Sequence, residues 1–359
     1  MNLDSTEEIK KIDTENVLGS IDQLSDQVLH AWEDANNINV PDDYRNVKNV
    51  VMCGMGGSGL GARIIESVYS KDLKIPLLRI NDYHLPEFVD LSTLVICSSY
   101  SGETEETIQN ANEAIDKNAK WMAIANGGKL LRMAQENNVP FYDIDPKFNP
   151  SNQPRMAIGY SVIGQMVLAA KAGLFSLQKE EIIGIKNCMK HILSKNNLEI
   201  KFFENDAKTL AGKLRDKIII YVASGHLVGA MHTVNNQLNE NAKNLSIDAQ
   251  IPELNHHLLE GLKHPEKNKE NLFMIFVNSN LYPERIKQRM KITRDVVEQN
   301  GIETYTFEAI SDTKLSQSFE LIQFGAYVNY YLSMLYDQNP SPIPWVDYFK
   351  EKLGQPLGK

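Results

Sequence analysis

The chain has 359 residues, of which 42% are hydrophobic, and a formal net charge of −9. Its Lys and Arg residues are scattered among acidic ones, which argues against a surface for nucleic acid or for an anionic membrane. No apolar run reaches the length of a membrane span, and the acidic start MNLDSTEEIKKID lacks the order of a signal peptide. We therefore expect a cytoplasmic protein.

The first elements predicted along the chain are helices. Ser5 followed by Glu8 forms a capping-box pattern that predicts a helix start. A second amphipathic stretch between Ile21 and Trp32 has apolar residues at helical spacing.

Short apolar runs that are typical of strands follow the N-terminal helices, at 48–53, 76–80, 93–97, 120–125 and 139–143. Helical stretches separate most of them, at 58–70, 103–118 and 128–137, and helical segments follow at 157–174 and 178–213. Strands that alternate with helices predict an α/β fold, in which a doubly wound parallel sheet is covered on both faces.

The same layout then returns. Segment 217–238 repeats the strand, Gly turn and helix of 49–70, segment 271–280 parallels 92–107, and segment 303–309 parallels 120–126. This repeat predicts two doubly wound αβα domains. We expect an N-terminal helical segment at 1–40, a first domain at 41–175, a second domain at 176–338 and a C-terminal tail at 339–359.

The cysteines show no metal-ligand spacing. Cys53 and Cys97 lie in apolar strand-like runs, far from each other and from Cys188, so we expect buried free thiols. The sequence has no HExxH motif, CxxC pair or dense His/Asp cluster. We therefore expect neither a metal site nor a cofactor.

Two polar turns follow neighbouring predicted strands. The first, Gly54–Gly59 (GMGGSG), satisfies G-x-G-x-x-G, and Asp82 follows a later strand, so a dinucleotide site is a competing interpretation. The second turn contains Ser99, Ser101 and Thr104, whose hydroxyls can converge on one anion at a helix start. Because both turns suit an anion, the pair favours a compact phosphate ester.

The second copy has a different composition at the matching place. It carries Asn278, Ser279, Tyr282 and Pro283 instead of a Gly/Ser/Thr-rich turn. One phosphate site per chain, in the first half, is the economical interpretation.

At this point a resemblance becomes specific. The turns GMGGSG and SSYSGET resemble those of the sugar isomerase (SIS) domain, which binds phosphorylated sugars. Four further segments, in the same order along nearly the whole chain, resemble the bifunctional phosphoglucose/phosphomannose isomerase family: Pro154-Arg155, LNENAK at 238–243, PELNHH at 252–257 and PSPIPWVDYFK at 340–350.

The resemblance implies an aldose–ketose isomerase. Such an enzyme interconverts glucose 6-phosphate or mannose 6-phosphate with fructose 6-phosphate, by moving a proton between C1 and C2 through a cis-enediol after the ring has opened. It further implies a homodimer and a phosphate site formed by the residues Gly56, Gly57, Ser58, Ser99, Ser101 and Thr104.

Four catalytic roles come with the resemblance. Glu240 matches the base, and Arg155 matches the cation that stabilises the enediolate. His256 matches the ring-opening histidine, which in this family reaches the site from the neighbouring subunit. The adjacent His257 is the alternative, and the register against the PELNH pattern favours His256. Lys350 matches a lysine that assists ring opening.

Two other classes of protein compete with this interpretation. A nucleotide-dependent oxidoreductase that binds NAD would explain the GMGGSG turn and Asp82 but not SSYSGET or PELNHH. A non-catalytic sugar-phosphate-binding module would use the same turns, and such modules usually accompany a DNA-binding or transferase domain, of which the chain shows no sign.

Overall fold

The computed structural model describes residues 1–354. Its strands, in chain order, are β1 (Asn49–Cys53), β2 (Leu77–Ile80), β3 (Thr93–Ser98), β4 (Lys120–Ala125), β5 (Phe141–Asp143), β6 (Ile218–Ala223), β7 (Ser246–Gln250), β8 (Leu272–Ser279) and β9 (Glu303–Ala309). The strands expected in the first half lie within a residue or two of the apolar runs that predicted them.

The helices of the described chain are α1 (Thr6–Ile12), α2 (Val17–Asp22), α3 (Leu24–Asn36), α4 (Leu60–Tyr69), α5 (Glu105–Asp116), α6 (Gly128–Glu136), α7 (Ile158–Lys171), α8 (Lys179–Asn196), α9 (Asp206–Leu214), α10 (Val228–Gln237), α11 (Leu258–Gly261), α12 (Asn268–Asn271), α13 (Glu284–Gln299), α14 (Lys314–Leu335) and α15 (Pro344–Leu353). None of the helices within residues 1–354 combines the length and the apolar character that a membrane span needs.

The strands form two sheets, in the orders β2-β1-β3-β4-β5 and β7-β6-β8-β9. Every strand pairs in parallel with its neighbours. In the second sheet β6, β8 and β9 take the places of β1, β3 and β4 in the first. The predicted α/β fold with two parallel sheets is therefore confirmed.

The chain divides into two compact units. The first-sheet unit comprises Gln23–Lys186 and the residues from Pro342 on, and the second-sheet unit comprises Met1–Asp22 and Asn187–Ser341. The predicted domain ranges stay a prediction, and residues 355–359 of the predicted tail lie outside the described residues.

The central strands of the first sheet, β1, β3 and β4, are buried along almost their whole length. Cys53 and Cys97 are paired in register on β1 and β3. Both are free and buried, as their apolar runs predicted, and burial raises the pKa of the Cys53 thiol. Cys188 is free and half-buried.

The N-terminal capping box forms only in part. The Ser5 hydroxyl accepts the Glu8 backbone N–H at 3.4 Å. The Glu8 carboxylate accepts the backbone N–H of Asn2 at 3.1 Å rather than closing the box on Ser5. Because α1 begins at Thr6, directly after the N-cap residue Ser5, the predicted helix start is confirmed.

The structure differs from the sequence expectation at several elements. The single helical segment predicted at 178–213 is wrong, because it consists of α8 and α9. Asn205 separates them and caps α9 by accepting the backbone N–H of Lys208 at 2.9 Å. Strand β7 and helix α14 were not predicted. Helix α14 is buried on all sides along most of its length, so it lacks the amphipathic stripe that marks a surface helix.

Candidate active site

The turn after β1 is a short 3-10 helix, Gly56–Gly59, that leads directly into α4. Gly56 has a φ of +50°, a conformation that glycine adopts without the steric cost a side chain brings. The backbone N–H of Tyr100, in the turn after β3, donates to the Ser58 hydroxyl at 2.9 Å. This bond ties the two polar turns together at the carboxyl edge of the sheet.

The turn after β3 carries three of the predicted phosphate-binding hydroxyls, and two of them are hydrogen-bonded to each other. The hydroxyl of Ser99, which is fully buried, donates to the hydroxyl of Thr104 at 2.8 Å. Thr104 is the N-cap residue of α5, and its hydroxyl turns toward Ser99 rather than toward the first helical turn. Ser101 is exposed, and its hydroxyl accepts the backbone N–H of Glu103 at 3.2 Å.

Arg155 lies against the first turn. It belongs to a 3-10 turn, Pro154–Met156, that precedes α7, and it is 3% exposed. A Cβ placed on Gly57 would lie 3.6 Å from both the Arg155 Cα and the carbonyl oxygen of Pro154. These are ordinary van der Waals distances, so the backbone of the arginine packs against the turn. The Arg155 guanidinium donates to the Gln153 Oε1 at 3.0 Å.

Tyr100 connects the second turn to the loop that carries Arg155. The side-chain amide of Asn149 donates to the Tyr100 hydroxyl at 3.3 Å and to the carbonyl oxygen of Gln153 at 3.0 Å. Burial raises the pKa of Tyr100, so its hydroxyl stays protonated at neutral pH. The first-sheet unit thus brings together the glycine turn, the Ser99–Thr104 pair and Arg155.

Glu240 lies in the second-sheet unit, on an unusual helical turn. Helix α10 continues into a π-helical turn, Leu238–Ala242, in which Glu240 is half-buried. Such π turns are rare and frequently mark functional sites. The winding of the helix therefore changes at the predicted base.

Lys243 ends this π turn and fixes its position. It has a φ of +50° and lies in the left-handed region. Its ammonium group donates to the carbonyl oxygen of Asn339 at 2.8 Å, of Pro340 at 3.0 Å and of Asn241 at 3.2 Å. The end of the turn that carries Glu240 is therefore tied to the chain just before the C-terminal tail.

His256 is the last residue of a 3-10 turn, Glu253–His256, and is exposed. The turn is anchored by Asn255, whose side-chain amide donates to the Thr293 hydroxyl of α13 at 2.7 Å. His257 is exposed as well, and its Nε2 lies 4.0 Å from a Glu253 carboxylate oxygen. Exposure alone does not separate the two histidines.

Lys350 lies on α15, which is exposed along its whole length. The apolar residues of this helix are exposed too, including Trp345 at 81% and Phe349 at 61%.

The matching turns of the second sheet are filled by side chains. The turn after β6 begins at Gly225, which also has a φ of +50°. The next residue, His226, is buried, and its Nε2 donates to the Gln317 Oε1 at 2.9 Å. The Ser279 hydroxyl, at the end of β8, donates to the same oxygen at 2.5 Å. Burial lowers the pKa of His226 and keeps the ring neutral.

Within residues 1–354, no group of three or more His, Cys, Asp or Glu side chains is arranged to hold a metal ion.

Comparisons with known proteins agree with this architecture. The model of the bacterial phospho-glucose isomerase C-terminal SIS domain matches residues 203–353. A hypothetical protein from Thermus thermophilus has a similar structure, with a TM-score of 0.74 at 17% identity over 97% of this chain and 94% of that one. The fold and the paired turns define an SIS-domain protein.

Curated relatives narrow the class. The bifunctional phosphoglucose/phosphomannose isomerase of Caldicellulosiruptor bescii is 33% identical over 94% of this chain and 98% of its own length. The corresponding protein of Thermoplasma acidophilum is 33% identical over 85% of this chain and 89% of its own. The chain belongs to the bifunctional phosphoglucose/phosphomannose isomerase family, and it is an isomerase.

Sequence reasoning missed several polar residues around the site. Tyr100 lies inside SSYSGET, where only the hydroxyls of serine and threonine received a role. Gln153 stands two residues before Arg155. A buried polar residue in an apolar helix is a signal for such positions, and Gln165, discussed below, is the example in segment 157–174.

Proposed function

We propose that this isomerase interconverts glucose 6-phosphate and mannose 6-phosphate with fructose 6-phosphate through a cis-enediol, with Glu240 as the base. The observation that carries the proposal is the joined pair of turns in the first-sheet unit. They present the Ser99 and Thr104 hydroxyls and the Gly56–Ser58 backbone at one edge of the sheet, with Arg155 packed against Gly57. Hydroxyls, backbone N–H groups and a guanidinium are suitable partners for a phosphate ester.

The four reacting residues divide the chemistry between them. His256 and Lys350 open the ring by moving protons at its oxygen and at the C1 hydroxyl. The Glu240 carboxylate then removes the proton from C2 of the aldose and returns it to C1, which gives the ketose. As the enediolate oxygen gains charge, the Arg155 guanidinium stabilises it. A fixed cation at such a position contributes about 10²–10³ in rate.

A half-buried carboxylate on a tied π turn supports the role of Glu240. The turn is held at its end by the contacts of Lys243 to Asn241, Asn339 and Pro340. A base held in a fixed orientation gains from proximity to the proton that it removes.

An activity assay combined with one isosteric substitution tests the proposal. Purified protein should convert fructose 6-phosphate and mannose 6-phosphate to glucose 6-phosphate with EDTA present. Glu240→Gln should lower kcat by about 10²–10⁴, the usual contribution of a general base. Its affinity for glucitol 6-phosphate, a reduced analogue that cannot isomerise, should remain within a few-fold of wild type.

Other results would point elsewhere. A Glu240→Gln variant near the wild-type rate would contradict the assignment of the base. Protein that retains NAD absorbance after purification would favour an oxidoreductase, and saturable sugar-phosphate binding without turnover would favour a non-catalytic module.

We further propose that the enzyme is a cytoplasmic homodimer in which His256 acts in the partner's site. The exposure of His256 on an anchored turn supports this arrangement, and the free thiols suit a reducing compartment.

Subunit mixing tests this second proposal. Glu240→Gln and His256→Ala should each be inactive alone. Refolded together, they should regain about a quarter of wild-type activity, because about half of the dimers of a two-fold assembly then contain one intact site. No recovery would place both residues in the same chain's site. His257→Ala serves as the matched control and should stay active.

A further inference from the structure

Helix α7 carries a side-chain amide in a stretch that is almost completely buried. Residues Ile158–Ala169 of this helix are buried, and Gln165 among them is 1% exposed. A carboxamide is costly to bury unless its hydrogen-bonding groups find partners. The partners of Gln165 therefore indicate why the residue is present.

Those partners are the two polar turns of the candidate site. The Gln165 Nε2 lies 2.9 Å from the carbonyl oxygen of Ser58, 3.3 Å from the Ser98 hydroxyl and 2.9 Å from the carbonyl oxygen of Ser161. Its Oε1 accepts the backbone N–H of Ala62, in the first turn of α4, at 3.1 Å. One side chain thus contacts the turn after β1, the start of the helix that follows it, and the end of β3.

Gly61 makes room for this side chain. A Cβ placed on Gly61 would lie 2.5 Å from the Gln165 Cδ and 2.7 Å from both of its terminal atoms. Glycine destabilises a helix relative to alanine, so a glycine inside α4 needs a local reason. The space that Gln165 occupies supplies that reason.

We propose that Gln165 is a positioning residue for the substrate phosphate. It holds the turn after β1 at a fixed distance from the end of β3, so that Ser58 and the Ser99–Thr104 pair face the same anion before the substrate arrives. This inference rests on the proposed function, because it assumes that these turns bind the phosphate. A binding site whose groups are already in place loses less free energy to reorganisation when the ligand binds.

Two substitutions should each disturb the contacts between Gln165 and the two turns. Gln165→Leu removes its hydrogen bonds, and Gly61→Ala displaces the carboxamide without touching it chemically. Each should raise the Kd for glucitol 6-phosphate and the KM for fructose 6-phosphate by about tenfold, since a typical hydrogen bond contributes that order of free energy. The kcat at saturation should fall much less, because Glu240 is unchanged.

A double-mutant cycle gives the sharper test. In a Gln165→Ser background the space beside residue 61 is open, so Gly61→Ala should no longer change the Kd. If Gly61→Ala weakens binding equally in both backgrounds, or leaves wild-type binding unchanged, the positioning role of Gln165 is contradicted.

A matched glutamine separates positioning from general stability. Gln323 is 1% exposed on α14 in the second-sheet unit, and its Nε2 donates to the carbonyl oxygen of Ile21 at 3.0 Å. Gln323→Leu should lower the melting temperature as Gln165→Leu does but leave the Kd unchanged. An equal loss of affinity in both variants would overturn the proposal.

The Ser99→Ala/Thr104→Ala variant, measured in parallel, keeps the two proposals distinguishable. If it weakens binding and the Gln165 and Gly61 variants do not, the positioning role fails while the phosphate site stands. If none of these variants weakens binding, the phosphate site itself fails, and the role of Gln165 fails with it.

Discussion

The two sheets carry matching pairs of turns with different side chains. The pair in the first-sheet unit follows β1 and β3, and the pair in the second-sheet unit follows β6 and β8. Each first turn begins with a glycine at a φ of +50°, Gly56 or Gly225. The first copy continues with Gly57 and Ser58, whereas the second continues with the buried imidazole of His226.

A glutamine from a later helix accompanies each pair of turns, and its use differs. Gln165 contacts the carbonyl oxygen of Ser58 in the turn after β1 and the backbone N–H of Ala62 in the first turn of α4. Gln317 contacts the side chains of His226, Ser279 and Asn280 directly. In the second copy, the side chains of the two turns thus bond to Gln317, whereas in the first copy Ser99 bonds to Thr104. If the proposed phosphate site is right, side chains more than backbone distinguish the copy that binds the anion.

The largest expected difference between the two copies comes from removing two hydroxyls of the first copy. Ser99→Ala/Thr104→Ala removes both partners of one hydrogen bond, so neither is left unpaired in the fold. Because hydrogen bonds to a charged group contribute about 1.5–3 kcal/mol each, the Kd for glucitol 6-phosphate should rise by roughly 10²–10⁴. Isothermal titration measures this change.

The matched control lies in the second copy. Ser224→Ala/Ser279→Ala removes hydroxyls that donate to the Ile251 carbonyl oxygen and to Gln317. Its Kd should stay within about twofold of wild type, since these groups serve the fold. Equal losses in the two double variants would remove the distinction between the copies.

The smallest expected effect is a pH dependence of the free energy of unfolding that comes from His226 in the second copy. Burial lowers the pKa of His226, the Gln317 bond opposes that shift, and Lys314 adds to it. As the pH falls below about 6.5, the His226 ring therefore becomes protonated in the unfolded chain before it does in the folded chain. The free energy of unfolding should drop, by at most about 1.4 kcal/mol per pH unit for this one proton.

His226→Gln isolates this contribution. It keeps a donor for Gln317 but cannot titrate, so the wild type should lose more stability than the variant in urea unfolding between pH 7 and pH 5. Parallel curves for the two proteins would mean that the buried ring does not resist protonation. Activity at pH 7.5 should be the same in both.

Much of the fold was predictable because its signals are local. The five apolar runs of the first sheet and the Gly turn at 54–59 carry their strand and turn character within a few residues. The edge strand β7 was missed because SIDAQ contains few consecutive apolar residues and is only partly buried. The break between α8 and α9 was missed because it contains neither glycine nor proline.

Less of the candidate site than of the fold could be predicted from the sequence. Hydroxyl-rich turns are visible in sequence, and the resemblance supplied roles for Glu240, His256, Arg155 and Lys350, which remain predictions. Gln165 was not recognised because its partners Ser58 and Ser98 lie 107 and 67 residues away in the chain. No local pattern reports a hydrogen bond across that separation. Only the fold shows which turns that glutamine serves.

The most direct test of the account is a crystal structure with glucitol 6-phosphate bound, read for the position of its phosphorus atom. We predict that the phosphate oxygens lie within hydrogen-bonding distance of the Ser99 and Thr104 hydroxyls and of the backbone N–H groups in the Gly56–Ser58 turn. A phosphate seated at the turns after β6 and β8, or at neither pair of turns, would contradict the account.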